Sequence, residues 1–210
     1  MHAVIADTPA WGAPQGWTGA VALAAMAAWN GRQNRAALDL LAPKLDDSVL
    51  EIGCGPGSAL KQVLARVGDE GFVAGVDRSQ TATCSAARRL HTDVTCGRAM
   101  IARAEASDLP FRDLMFDKAF AVNSFQFWPA PARAVREIAR VLRPGGRLVI
   151  TVRAARPGEV TRFAGADHGF CHMERAAALL KHEGWTLLDE RADGDGARLL
   201  ALSVLARCPD

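Results

Sequence analysis

From Val49 onward, short apolar and β-branched runs alternate with stretches in which apolar residues recur every three or four positions. That alternation is the pattern of strands and helices in a parallel α/β sheet. Residues 48–52 form a first strand and 53–57 a turn. A helix over 58–67 follows, with Leu60, Val63, Leu64 and Val67 on one face. A strand over 72–76 ends at Asp77, a helix covers 79–90, and 99–104 is a weaker third strand. The fourth strand, 116–122, ends at Asn123. The next helix, 131–142, buries Val135, Ile138, Ala139 and Leu142; Pro131 opens it and Arg143-Pro144-Gly145-Gly146 closes it,. A fifth strand over 147–152 and a helix over 174–183, stopped by Gly184, come next. Strands over 185–189 and 199–205 flank the turn Asp193-Gly194-Asp195-Gly196, too short a connection for anything but an antiparallel pair,.

The expected fold is therefore α/β and Rossmann-like. It has a seven-stranded sheet of five parallel strands plus a C-terminal antiparallel hairpin, with helices on both faces. The Ala-rich segment 18–41 reads as one or two helices broken near Asn30-Gly31. Ligands of open α/β sheets lie beyond the carboxyl ends of the strands. Residues 1–47 are accordingly expected to be a helical lid over a core of 48–210, in one domain spanning 1–210.

Composition narrows the class. Half the residues are apolar and 23% charged, the net charge is +2, and only 4 of the 25 basic residues are lysine. The arginines are scattered, which argues against a nucleic-acid or membrane surface. Five cysteines without a CxxC pair argue against a disulfide framework or a bound metal and for a reducing cytoplasm,. The apolar stretch 19–29 is too short to span a bilayer and has no preceding Lys or Arg, so it is not read as a signal peptide,.

The candidate chemistry sits in Glu51-Ile52-Gly53-Cys54-Gly55-Pro56-Gly57, with glycine at every second position from 53. Glycines permit positive φ and let a ligand approach the main chain, and the following helix start offers unpaired N–H groups. Asp77 ends the next strand 20 residues after Gly57, the spacing at which a carboxylate accepts from ribose hydroxyls,. Together these imply an adenosine-bearing cofactor without separating S-adenosylmethionine (SAM) from NAD. Three details favour SAM. The spacing is G-x-G-x-G, whereas a dinucleotide loop reads G-x-G-x-x-G. Pro56 removes an N–H that a pyrophosphate would use. Glu51 sets a carboxylate where a pyrophosphate would be repelled and an ammonium or sulfonium welcomed.

At this point the sequence resembles the small-molecule branch of class I SAM-dependent methyltransferases, the group related to ubiquinone and menaquinone methyltransferases. Val49 through Gly57 resembles the family's first motif and Val76-Asp77-Arg78-Ser79 its second. Glu105-Ala106-Ser107-Asp108-Leu109-Pro110-Phe111 resembles the adenine-contacting segment, and Phe116-Asp117 opens the fourth strand. Arg136-Glu137-Ile138-Ala139-Arg140-Val141-Leu142-Arg143-Pro144-Gly145-Gly146-Arg147-Leu148 resembles its most recognisable later segment. The resemblance implies that Glu51, Gly53, Cys54, Gly55 and Gly57 border the methionine part of SAM. It implies that Asp77 holds the ribose and Arg78 packs beside the adenine. Glu105 would accept from the adenine amino group, the Ala106 N–H would reach a ring nitrogen, and Asn123 would line the sulfonium region. The family usually has Asp at the adenine position. Glu105 replaces it here, with Asp108 as a rival three residues on.

Methyl transfer is an in-line displacement that can be driven largely by positioning, with a general base required only if the acceptor loses a proton in the transition state. No catalytic residue stands out. His168 and His172 are candidates, with exposed loop histidines as their plain alternative. Phe127 and Trp128, after Asn123, and Trp17 and Trp29, in the N-terminal segment, are candidate walls for a small-molecule acceptor, packing residues being the alternative reading. Two other functions stay open. One is an NAD-dependent oxidoreductase, although the chain has no tyrosine for a Tyr-Lys pair. The other is a non-catalytic SAM- or nucleotide-binding module. An Asn-Pro-Pro-Tyr amino-group motif is absent, Asn123-Ser124-Phe125-Gln126 standing in its place. The expected partner is thus a small molecule, with no nucleic acid or membrane, for a cytoplasmic monomer or homodimer.

Overall fold

The computed structural model describes residues 30–153, 170–194 and 199–209. In chain order the elements are α1 (Gly31–Leu41), β1 (Ser48–Ile52), α2 (Ser58–Val67), β2 (Phe72–Asp77) and α3 (Gln80–Arg89). A short α4 (His91–Thr95), β3 (Ala99–Arg103), β4 (Phe116–Val122) and a 3-10 turn (Phe125–Phe127) follow. The chain continues through α5 (Pro131–Val141), β5 (Leu142–Arg153), α6 (Phe170–His182), β6 (Thr186–Gly194) and β7 (Leu199–Arg207).

The seven strands form one sheet in the order β3-β2-β1-β4-β5-β7-β6. The five from β3 to β5 run parallel, while β7 runs antiparallel to both β5 and β6. β1 lies between β2 and β4, so strand order reverses there, and a crevice opens beyond the carboxyl ends of β1 and β4,. The central strands are buried on both faces: Val49, Leu50, Phe120, Ala121, Val149 and Ile150 are fully enclosed. That is why they read as unbroken apolar runs rather than alternating ones. One face is covered by α5 and α6 through Val135, Ile138, Ala176 and Leu180. The other is covered by α1, α2 and α3 through Ala37, Leu38, Leu41, Val63, Val67 and Ala86.

The part of the N-terminal segment that is described, from Asn30 on, is a core helix. Helix α1 packs across β4, β5 and β7, burying Ala37, Leu38 and Leu41 completely. Its C-terminal residue Ala42 adopts a left-handed conformation, and its carbonyl accepts from Lys118 Nζ on β4. Lys118 is itself buried and paired with Asp47 at 2.8 Å. Residues 1–29, the remainder of the expected lid, lie outside the described residues.

The main boundary differences from the sequence reading lie in β5, α6 and the two closing strands. β5 starts at Leu142, directly after α5, rather than at Arg147. Leu142 pairs with Phe116 and Arg147 with Lys118, so residues 143–146 bulge between them. Gly145 takes φ +73°, and a side chain on Gly146 would strike the Arg143 carbonyl. The glycine pair therefore shapes a bulge inside the strand as well as ending the helix. α6 begins at Phe170, four residues early. The closing strands run to Gly194 and Arg207 because ladder pairing continues beyond their apolar stretches. Residues 195–198 of the expected turn are outside the described set.

Candidate functional site

The crevice at the reversal of strand order is a cavity of about 910 Å³, counting its open mouth. It is built on the 53–57 loop. Gly53 and Cys54 both donate their N–H to the Val76 carbonyl, at 2.8 and 2.9 Å, which pins the loop to the end of β2. Gly53 has φ +78°, and a Cβ there would come within 2.5 Å of Ser124 Cβ. Ser124 meanwhile donates from Oγ to the Ile52 carbonyl at 2.7 Å. Gly55, at φ +51°, has no protein atom within 4 Å of the place a Cβ would take, leaving its cavity side open,. Arg89 of α3 holds the loop from outside, donating to the Pro56 carbonyl at 2.8 Å.

Gly57 is the left-handed residue that starts α2; a Cβ there would lie 3.2 Å from Ala86 Cα, and the residue is not among those lining the cavity. Its glycine character serves the contact between α2 and α3. Cys54 lines the cavity yet is also a core residue, seated in the space left by Gly75 of β2. Burial and the neighbouring Glu51 and Asp77 carboxylates push its thiol up, so it stays protonated at neutral pH,.

Three carboxylates line the same space: Glu51, Asp77 and Glu105. Glu51 is 4% exposed and its Oε2 has no hydrogen-bond partner. Burial first and the Asp77 charge second hold its carboxyl well above the usual carboxylate range, with the Leu60 N–H pulling the other way,. Asp77 accepts from the Gly55 N–H at 3.0 Å through Oδ2 and from the Ser79 N–H at 2.8 Å through Oδ1. Burial still raises it, those two bonds and Arg78 offsetting part of the effect while Glu105 adds to it. Crowded, desolvated acids of this kind are relieved by a cationic ligand and aggravated by an anionic one.

Arg78, Glu105 and Ala106 line one end of the cavity. Arg78 follows β2 directly, and the turn after β3 brings Glu105 and Ala106 there: the Asp108 N–H closes it on the Glu105 carbonyl at 3.1 Å. Asp108, the rival for Glu105, is not a lining residue. At the other end lie Asn123, Ser124, Phe127 and Trp128. Asn123 is left-handed at φ +52° and fully engaged. Its N–H donates to Thr151, its Oδ1 accepts from the Arg153 N–H at 2.7 Å, and its Nδ2 donates to Asn30 Oδ1 at 2.9 Å. Trp128 stands edge-on to Phe125, with ring centres 5.2 Å apart. His172, in the first turn of α6, is half-buried and absent from the cavity lining. His168, Trp17 and Trp29 lie outside the described residues.

Asn30 and Asn34 were not foreseen. They sit one turn apart at the start of α1 and line the cavity, Asn34 being only 6% exposed. The available signal was an asparagine at helical spacing from the apolar stripe Ala37, Leu38 and Leu41.

The constellation defines a class: an adenosine-cofactor site on a mixed seven-stranded sheet, with a buried carboxylate, Glu51, at the glycine loop where a dinucleotide site sets backbone N–H groups against a pyrophosphate,. The comparisons agree. Residues 50–150 match the family model described as a methyltransferase domain. Methyltransferase GfsG of Streptomyces halstedii is 33% identical over 160 residues, covering 76% of this chain and 56% of that protein. An uncharacterized methyltransferase of Bacillus subtilis, YdaC, is 32% identical over 128 residues, covering 61% of this chain and 68% of the relative. The chain thus spans little more than half the length of the first of these. A SAM-dependent methyltransferase structure from Aquifex aeolicus shares the fold, with a TM-score of 0.70 at 18% identity over 83% of this chain and 89% of its own. The chain belongs to the class I SAM-dependent methyltransferase family.

Proposed function

We propose that this chain transfers a methyl group from SAM to a small-molecule acceptor. The observation that carries the reading is Glu51, a buried carboxylate with an unpartnered oxygen at the head of a glycine loop whose Gly55 leaves the cavity open. Bound SAM would supply an electrophilic methyl on a sulfonium. Glu51 pairs with the ammonium of its methionine end. Asp77 accepts from the ribose with the lone pairs left over from Gly55 and Ser79. Glu105 and the Ala106 N–H take the adenine edge, beside Arg78. Asn123 faces the reacting centre, while Phe127 and Trp128 wall the acceptor and exclude water from it. Rate enhancement comes mainly from holding donor and acceptor in line.

The acceptor wall is aromatic and amide-lined rather than basic, which favours a compact neutral molecule over a nucleic acid,. Cys54, Cys84 and Cys96 are free thiols, which favours action in a reducing cytoplasm,; the chain is read as a monomer or homodimer. Among the described residues no helix is long and apolar enough to cross a membrane.

Calorimetry with SAM, S-adenosylhomocysteine and NADH, followed by a coupled assay for S-adenosylhomocysteine release across phenols, amines and quinols, tests the reading. Binding of SAM and not NADH, with turnover of one acceptor class, supports it. NADH binding without SAM binding refutes it. SAM binding with no release for any acceptor favours the non-catalytic module.

A further inference from the structure

We propose that Glu137 and Arg140, half-buried on the flank of α5, are positioning residues for the base end of the cofactor site. They hold the 105–111 turn in the shape that presents the Glu105 carboxylate and the Ala106 N–H to the cavity. The inference rests on the adenine reading of those two groups.

Arg140 spends every donor of its guanidinium. Nε donates to Glu137 Oε1 at 2.9 Å, and Nη2 donates to Glu137 Oε2 at 2.8 Å and to the Leu109 carbonyl at 3.0 Å. Nη1 donates to the Phe111 carbonyl at 2.8 Å and to Asp113 Oδ1 at 2.8 Å. Glu137 Oε2 in turn accepts the Leu109 N–H at 3.0 Å. Both main-chain polar groups of Leu109 are thus held by one side-on Arg–Glu pair, and the fork of five N–H groups is satisfied in full. A pair that only braced successive turns of α5 would need just the two bonds between its own members. Here three further bonds leave the helix for the backbone of the turn.

What those bonds hold is a reversal whose own closure is a single backbone hydrogen bond. The Asp108 N–H closes on the Glu105 carbonyl, and Glu105 and Asp108 make an isolated bridge. Ala106, Leu109 and Phe111 are buried, whereas the Glu105 side chain projects at the cavity margin. Leu109 is the pivot. If its backbone rotates, the Glu105–Asp108 closure opens and the cavity-facing groups three and four residues back, Ala106 and Glu105, lose their aim. The Arg140 guanidinium keeps the Glu137 carboxyl below the usual carboxylate range, so the pair stays charged at neutral pH. Arg133 is the other charged group acting on Glu137, and Asp113 the other acting on Arg140.

The experiment compares S-adenosylhomocysteine with its N6,N6-dimethyl derivative, which lacks the amino hydrogens that Glu105 would accept. Kd is measured by calorimetry on the full chain, as wild type, R140M, R140K, E137Q and E105Q, with unfolding scans to confirm that each is folded. Wild type is expected to prefer the unmodified ligand roughly 10-fold, the value of one charge-assisted hydrogen bond. E105Q should weaken that preference directly. In R140M and E137Q the preference should fall below about 2-fold, with both ligands bound about as weakly as wild type binds the dimethyl derivative. General destabilisation does not erase discrimination between two ligands that differ by two methyl groups. R140K carries the same expectation should R140M not fold, because a lysine cannot span the fork. If E105Q loses the preference while R140K, R140M and E137Q retain it, the adenine reading stands and the positioning role is overturned. If wild type shows no preference, the adenine reading itself falls and takes the proposal with it.

Discussion

Replacing Glu51 with glutamine is expected to improve the fold and damage cofactor binding at the same time. Glu51 is 4% exposed, its Oε2 has no partner, and it shares its space with Asp77. Its carboxyl is raised, chiefly by burial, so the folded chain holds a proton there that the unfolded chain releases. Stability from this site is therefore present below the ordinary carboxylate value and declines as pH rises toward the raised one. At neutral pH the residue works against folding, and a neutral amide removes that penalty. A gain of 1 kcal/mol corresponds to about 2–4 °C in Tm for a chain of this size, so a rise of at least about 2 °C is expected in a thermal scan without ligand. Binding moves the other way. A charge-assisted hydrogen bond to an ammonium is worth about 1.5–3 kcal/mol, which is roughly 10- to 150-fold in Kd. The Coulomb limit for such a pair at 4 Å and an effective dielectric of 20 is about 4 kcal/mol, so that estimate lies within what electrostatics allows. Calorimetry with S-adenosylhomocysteine reads the loss. Methylthioadenosine, which has no methionine end, is the control and should bind both proteins alike. A variant that melts lower and binds S-adenosylhomocysteine as tightly as wild type would refute the assignment and leave Glu51 a structural acid.

Because Glu51 and Asp77 are both raised, wild-type affinity for SAM should fall as pH is lowered through their range, while ligand-free Tm rises over the same interval,; parallel pH series of both quantities check this. Asp77→Ala removes the acceptor for the Gly55 and Ser79 N–H groups as well as the ribose contact, so Kd for SAM should weaken by about 1–3 kcal/mol and Tm should drop too,. The glycines separate the two effects: Gly53→Ala, which forces a Cβ against Ser124 at positive φ, should lower stability by about 1–3 kcal/mol,. Gly55→Ala should cost about 1 kcal/mol of backbone strain, meeting no protein atom, and be read instead as lost SAM affinity,. Trp128→Ala should raise KM for the acceptor several-fold and leave Kd for SAM unchanged, which steady-state kinetics and calorimetry together decide.

The donor half of the site was legible because it is nearly continuous in sequence. β1, the 53–57 loop and Asp77 carry their own punctuation, and β1, α2 and β4 begin and end where the apolar runs do. Gly57 shows the limit of that punctuation, because a glycine that permits close helix packing has the same letter as one that admits a ligand. The half proposed to take the acceptor was harder, since that side of the cavity joins Asn30 and Asn34 to Asn123, Phe127 and Trp128 across some ninety positions. Nothing local in either stretch announces the other. β5 was cut short for a related reason: Arg143-Pro144-Gly145-Gly146 reads as a stop, whereas pairing with β4 resumes on both sides of the bulge. β6 was cut short because an edge strand needs only backbone ladder bonds, and its later residues are mostly exposed.

The strand order has a consequence for assembly. β6 is made before β7 but has no neighbour in the sheet except β7, which alone touches β5. An earlier segment must therefore wait for a later one before it can dock. Until residues 199–207 arrive, β5 is a bare edge whose Thr151 hydroxyl lacks its Ser203 partner, 2.9 Å away in the finished sheet. Any chain shortened before Leu199 would lose two strands for the removal of one. It would also present β5, the strand that supports Asn123 through the Thr151 carbonyl, as an open template for aggregation,.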